Sequence, residues 1–103
     1  MEQSKPVALI TGASSGIGEA FARRLSKKGY CVALVARRRE RLEKLAAELP
    51  DAEVLEADLT ADSDLRRVEQ YISSQTRLEF LVNNAGFGVP GPFQEADVNA
   101  LDR

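Results

Sequence analysis

Short apolar runs alternate along this chain with longer stretches in which apolar residues recur every three or four positions. Val7 to Ile10 is an unbroken apolar run, the pattern of a strand covered on both faces. After a glycine-rich turn, Ile17 to Lys28 carries Ile17, Phe21 and Leu25 at fourfold spacing, one apolar stripe of a helix that Gly29 ends. Cys31 to Ala36 reads as a second buried strand. Arg38 to Leu49 reads as a charged helix with Leu42, Leu45 and Leu49 on one face, broken by Pro50 and Asp51. Glu53 to Ala57 is a shorter third strand. Ala61 to Ser74 is a further helix with Leu65, Val68 and Ile72 on one side and Thr60 or Asp62 as its cap. Phe80 to Val82, starting near Leu78 or Glu79, is the fourth strand. From Asn84 the glycine and proline content predicts a loop, with a new helical pattern near Asp97.

Strands alternating with helices predict parallel βαβ units, and right-handed crossovers then favour an α/β, Rossmann-like doubly wound sheet of about four strands in the order 3-2-1-4. The outer edge of the fourth strand is expected to be unpaired, which makes it a candidate site of self-association. A chain of 103 residues has room for one small domain. Sixteen acidic against fourteen basic residues, a net charge of −2, give no global attraction to nucleic acid or to an anionic membrane. No apolar run is long enough for a bilayer span and the polar start lacks a secretory signal, so a cytoplasmic location is expected. The single cysteine, Cys31, excludes an internal disulfide and reads as a small core residue. The absence of histidine excludes imidazole metal sites and Ser-His-Asp catalysis in this chain, and no metal site is expected.

Thr11-Gly12-Ala13-Ser14-Ser15-Gly16-Ile17-Gly18 lies directly between a strand and a helix. A turn of this kind leaves bare amides at the positive end of the helix dipole, where a pyrophosphate can accept from them. Gly12 permits the tight exit from the strand, Gly16 clears space for phosphates and Gly18 brings helix and sheet together, while Ser14 and Ser15 can add hydroxyl donors. The spacing, Gly-x-x-x-Gly-x-Gly, resembles the Thr-Gly-x-x-x-Gly-x-Gly signature of the short-chain dehydrogenase/reductase family.

At the end of the second strand, Ala36 stands where NAD-preferring members of that family carry aspartate, and Arg37 follows. A guanidinium matches a phosphate in charge and shape, so Arg37, with Arg38 in a weaker role, predicts preference for NADP(H). Arg39 and Arg41 read as solvated helix charges, with Arg39 paired to Glu43 and Glu40 to Lys44. Asp58-Leu59, after the third strand, lies where the resemblance implies an adenine contact; a turn or capping aspartate is the plainer alternative. Asn83-Asn84-Ala85-Gly86, closing the fourth strand, resembles the family's Asn-Asn-Ala-Gly motif, which supports the sheet and lines the adenosine side of the pocket. The loop Gly91-Pro92-Phe93-Gln94-Glu95 extends the resemblance over almost the whole chain. It implies cofactor contacts at Gly12, Ser14, Ser15, Gly16, Ile17, Gly18, Arg37, Arg38, Asp58, Leu59, Asn84, Ala85 and Gly86.

The family's hydride chemistry uses an asparagine, a serine and a tyrosine with lysine four residues on. Tyr30 is followed at that spacing by Leu34 and Tyr71 by Gln75, and the residues around Asn99 do not match the catalytic asparagine's motif, so no catalytic residue is assigned. The chain is expected to be a partial dinucleotide-binding domain over residues 1–103. An intact protein would transfer hydride between NADP(H) and an alcohol or carbonyl substrate; the alternative is a non-catalytic stand-alone dinucleotide binder.

Overall fold

A computed structural model describes residues 5–75, 77–84 and 94–97. The strands are β1 (Val7–Thr11), β2 (Cys31–Ala36), β3 (Ala52–Glu56), β4 (Leu78–Asn83) and β5 (Gln94–Asp97), and the helices α1 (Gly16–Lys27), α2 (Arg39–Ala46) and α3 (Asp62–Ser74). All pair in parallel in the order β3-β2-β1-β4-β5. The expected 3-2-1-4 arrangement is therefore present, with a fifth strand beside it.

Alternation along the strands divides the interior in two. Ala8, Ile10, Val32, Leu34 and Val82 face α1 and α2 through Ala22, Leu25, Leu42 and Leu45. Val7, Leu9, Ala33, Val35 and Leu81 point the other way, toward Val68, Tyr71 and Ile72 of α3. Burial on both faces is why the first, second and fourth strands are continuous apolar runs. Helix α1 ends in a Schellman turn: Gly29 has φ +100°, its amide donates to Ser26 O, and the Tyr30 amide donates to Leu25 O.

Several expectations are corrected. The buried face of α1 runs through Gly18, Ala22 and Leu25 with Phe21 packed beside it, so of the expected stripe only Ile17, 46% exposed, lies outside the core. A Cβ at position 18 would strike the glycine turn, so the helix packs there by its backbone and rotates Ile17 outward. Neither Thr60 nor Asp62 caps α3; its N-cap is Ala61, without a side-chain bond. Gln94 to Asp97 form a strand where a loop was expected, and Asp97 ends that strand. Its composition is polar, so pairing with the β4 edge, from Phe80↔Gln94 to Asn83↔Asp97, creates it. That pairing also removes the premise for self-association, because the outer edge of β4 is occupied. Cys31 is half-buried, since it opens β2; burial first, then the nearby Glu53, raises its thiol pKa. No helix among the described residues is long and apolar enough to cross a membrane.

Helix α2 is held by its leucines. The exposed Arg39–Glu43 pair, at 2.9 Å, contributes at most about 1 kcal/mol, and no ion pair joins Glu40 to Lys44 among the described residues. Fully buried Leu42 fills the cluster under α1 and α2. Leu42→Ala should lower unfolding free energy by about 2–5 kcal/mol and Arg39→Ala by less than about 1 kcal/mol. Urea denaturation of both variants checks the ordering; equal losses would contradict it.

Candidate functional site

The carboxyl ends of the strands are level. Thr11 is in register with Val35 and Asn83, and Ala36 with Glu56. The segments leaving β1, β2, β3 and β4 therefore emerge side by side around one cleft of 670 Å³. Gly12, Ser14 and Ser15 form one side, and Ala36, Arg37, Arg38 and Arg41 come from the end of β2 and the start of α2. Ala57 to Thr60 and Asn84 complete the lining. This is the carboxyl edge of an open α/β sheet, beside β1, where the order of connection reverses.

The glycine turn is built around the carbonyl oxygen of Gly12. It accepts from the Ser15 amide at 3.1 Å, the Ser15 hydroxyl at 3.0 Å and Asn84 Nδ2 at 3.1 Å. Gly12 has φ +64°, and a Cβ on it would lie 2.9 Å from Asn84 Nδ2, so both backbone and space demand glycine. A Cβ on Gly18 would overlap the Gly12 carbonyl oxygen and lie 2.9 Å from Ala13 Cα. Gly16 is different: a Cβ there meets nothing within 4 Å, so that side of the turn is open.

Ser15 is the N-cap of α1. Its Oγ accepts from the Gly18 amide at 3.1 Å and from Asn84 Nδ2 at 2.6 Å while its proton goes to Gly12 O. That proton is engaged, so Ser15 holds the turn together and has no donor left for a ligand. The Ser14 hydroxyl lines the cleft without a hydrogen-bond partner among the described residues. The amides of Gly16 and Ile17 donate to no backbone carbonyl among the described residues. Bare amides at the positive end of α1 suit an anion.

The opposite side is cationic. Arg37, Arg38 and Arg41 have no ion-pair partner among the described residues, whereas Arg23, Arg39, Arg67 and Arg77 are paired with carboxylates. Arg41, expected to be a solvated surface charge, belongs to the cleft. It lies three residues after Arg38, and i,i+3 spacing puts both on one helix face. That spacing was available in the sequence.

Asp58 is both a turn residue and a cleft residue. Its Oδ1 accepts from the Thr60 hydroxyl at 2.6 Å and the Thr60 amide at 3.0 Å. Its own amide donates to Asp64 Oδ2 at 2.8 Å, and Arg67 bonds both Asp64 Oδ1 and Glu56 O. Oδ2 of Asp58 has no partner among the described residues. Leu59 lies beside it in the lining. Gly16, Ile17 and Gly18 do not line the cleft; Ala85 and Gly86 lie outside the described residues. The residues that sequence reasoning passed over are Arg41, Thr60, Val35 and Ala57, the last two being floor positions at strand ends.

Neither tyrosine is placed for chemistry here. Tyr30 packs edge-on against Phe80 with ring centroids 6.4 Å apart. Tyr71 donates to Glu53 at 3.1 Å, and burial, then the Glu53 charge, drives its phenol pKa far up.

The fold and cleft define a doubly wound α/β protein whose glycine turn leaves two amides without backbone acceptors among the described residues. A family model of the short chain dehydrogenases matches residues 6–103, and the chain belongs to that family. It is 49% identical over 86 residues to 11-beta-hydroxysteroid dehydrogenase 1A of Arabidopsis thaliana, covering 78% of this chain and 25% of that protein. Among solved structures it is similar to a short-chain dehydrogenase from Sphingobium yanoikuyae in complex with NADPH. That match has a TM-score of 0.76 and 45% identity, covering 84% of this chain and 36% of the other. It is also similar to the 3-ketoacyl-(acyl-carrier-protein) reductase of Brucella melitensis complexed with NADH. There the TM-score is 0.69 and the identity 41%, with 81% and 35% coverage. The chain spans about a quarter to a third of the length of the curated relatives it matches.

Two measurements test this local architecture. Gly18→Ala should cost about 1–3 kcal/mol, because backbone on both sides must move. Asn84→Ala should cost about 1–2 kcal/mol, because Gly12 O keeps its two Ser15 donors. Urea denaturation reads both, and a neutral Gly18→Ala would contradict the close approach. Separately, the Thr60 hydroxyl and amide hold the Asp58 carboxyl below the usual carboxylate range, and the Asp58 amide and then Arg67 do the same for Asp64. This support for the turn is present above the unfolded value of about 3.9 and is lost as pH falls through the lower folded values. Carboxyl-carbon NMR titration should place both midpoints below those of the denatured chain; midpoints at or above that reference would refute the network.

Proposed function

We propose that this chain is the dinucleotide-binding part of a short-chain oxidoreductase that uses NADP(H) in preference to NAD(H). The carrying observation is the charge arrangement at the end of β2. Buried Ala36 stands at the strand terminus, and the next residues to enter the cleft are cationic and lack carboxylate partners. An aspartate at that position would accept from ribose hydroxyls and repel a 2′-phosphate; alanine leaves the space, and Arg37 supplies a fork of donors matched to phosphate.

The other residues of the cleft fit the rest of the cofactor. The Ser14 hydroxyl, inside the cleft, and the Gly16 and Ile17 amides, at the helix start just beyond its lining, would hold the diphosphate, with open space at Gly16 for its approach. Asp58 Oδ2 would accept from the adenine amino group while Thr60 fixes the carboxylate's orientation, and Leu59 would pack beside the base. Asn84 acts one step back by holding the turn. Bound here, the cofactor supplies hydride exchange with the carbon of an alcohol or carbonyl substrate. This chain's described residues bind and orient it. Membership in the family favours this reading over a non-catalytic binding module. Relatives complexed with NADPH and with NADH both occur, so the preference rests on Ala36 and Arg37 rather than on the family.

Titration of the full chain with each reduced cofactor, followed by nicotinamide fluorescence, should show NADPH binding about tenfold or more tightly than NADH. Arg37→Ala should remove most of that difference, and Ala36→Asp should reverse its sign. Equal or tighter NADH binding by the unaltered chain, or an unchanged ratio in Arg37→Ala, would overturn the proposal.

A further inference from the structure

The turn between β3 and α3 engages every polar group of Asp58 but one. The Asp58 amide donates to Asp64 Oδ2 at 2.8 Å, and its carbonyl accepts from the Ala61 amide at 2.9 Å. Its Oδ1 accepts from the Thr60 hydroxyl at 2.6 Å and from the Thr60 amide at 3.0 Å. Only Oδ2 has no partner among the described residues, and Asp58 lines the cleft. An ionised carboxylate can only accept, so what this oxygen can bind is a donor.

Behind Asp58 the bonds continue to the sheet. Asp64, in the first turn of α3, accepts from Arg67 at its other carboxylate oxygen, at 3.2 Å. The same guanidinium nitrogen donates to the carbonyl oxygen of Glu56, the last residue of β3, at 2.7 Å. The next amide, of Ala57, donates to Ala36 O at the end of β2, at 2.9 Å. Arg67 thus joins strand end to helix start across 11 positions and encloses the turn that presents Asp58. Neither Arg67 nor Asp64 lines the cleft, so each acts on a ligand there through Asp58. The Arg67 side chain is 57% exposed, and an ion pair so open to solvent adds little stability. What it fixes is direction: it holds the Asp64 carboxylate turned toward the Asp58 amide.

We infer that Arg67 is a positioning residue for base selection: by holding Asp64 against the end of β3, it keeps the free oxygen of Asp58 placed to accept from an exocyclic amino group and to reject a ring oxo group. This rests on the proposed seating of adenine at Asp58. Adenine carries an amino group at C6, and hypoxanthine carries an oxygen there. The amino group donates to the carboxylate, whereas the oxygen sets acceptor against acceptor. A hydrogen bond weakens steeply with angle. Loosening the Asp58 backbone therefore blunts this difference while leaving the phosphate and nicotinamide contacts in place.

The test compares NADPH with its hypoxanthine analogue, which differs only at that ring position, by nicotinamide fluorescence on the full chain. The unaltered chain should bind NADPH about tenfold more tightly than the analogue. Arg67→Ala should reduce that ratio to about twofold or less, mainly by weakening NADPH. Arg67→Lys should recover part of the ratio, since one nitrogen makes both bonds and an ammonium has donors for each. Asp58→Asn, whose amide can donate to the oxo group, should invert the ratio. Arg66→Ala, the exposed neighbour, should leave it within about twofold. If Arg67→Ala does not fold, Asp64→Asn carries the test: asparagine keeps an acceptor for the Asp58 amide but presents a donor to Arg67, and the ratio should fall about threefold. An unchanged ratio in the folded variant, or equal weakening of both cofactors, overturns the inference. If the unaltered chain binds NADPH and its analogue equally, the inference falls while the use of NADP(H) stands. If it binds neither, both readings fall.

Discussion

The carbonyl oxygen of Gly12 is the point on which the site depends. Three donors converge on it, two from Ser15 and one from Asn84, and the backbone of α1 passes so close that residue 18 has no room for a Cβ. An amide carbonyl has two lone pairs, so three donors share it in bent, individually modest bonds, each worth about 0.5–1.5 kcal/mol net. Their importance is geometric. By folding the turn inward on itself they turn the Gly16 and Ile17 amides away from the protein. Those amides then have no internal acceptor among the described residues. The local structure is completed at the expense of the two donors that a diphosphate would use.

Asn84 makes that arrangement a property of the sheet rather than of one loop. It follows β4 directly, and β4 lies against β1 with Asn83 level with Thr11. Buried Thr11 donates to Val82 O at 3.3 Å and reaches Asn83 at 3.5 Å, so the two strand ends are tied before the turn begins. The position of the amides is thus inherited from strand register, which the two apolar clusters fix from opposite faces. The register of the sheet edge therefore fixes where those amides stand.

What could be read from the sequence follows from the range of the interactions involved. The unbroken apolar runs gave β1, β2 and β4 because burial on two faces leaves a local signature. Gly12, Gly18 and Gly29 were interpretable because strand exit, close approach and helix termination each demand glycine for a local steric reason. Contacts across the sheet were not readable. The bond from Asn84 to Ser15 spans 69 positions and converts Ser15 from an expected ligand donor into a structural cap. Strand β5 has no intrinsic strand composition and exists by pairing. Of the stripe Ile17, Phe21 and Leu25, only Ile17 departs from the core, because the close approach at Gly18 sets the first turn of the helix. Asp64, in the first turn of α3 rather than at its cap, secures the β3–α3 turn by reaching back to the Asp58 amide.

The start of α2 shows the opposite of what stability alone would select. Helix N-termini favour acidic or small polar caps, because the dipole is positive there and several amides lack partners. This helix has arginine at its N-cap with no side-chain hydrogen bond, Arg37 before it and Arg41 within its first turn. Glu40 alone offsets that charge in the first turn. Each unfavourable placement costs a few tenths to about 1 kcal/mol, and the exposed ion pairs along the helix return no more than that. The buried leucines can carry such a cost, since each is worth several times as much. Arg37, Arg38 and Arg41 thus lie at the wrong end of a dipole, line the cleft and have no ion-pair partner among the described residues. The glycine turn across the cleft satisfies its own polar groups incompletely in the same direction. Two independent departures from local optimality, on different elements, thus stand on opposite sides of the cleft, and the NADP(H) proposed for it would answer both, with its diphosphate at one and its further phosphate at the other.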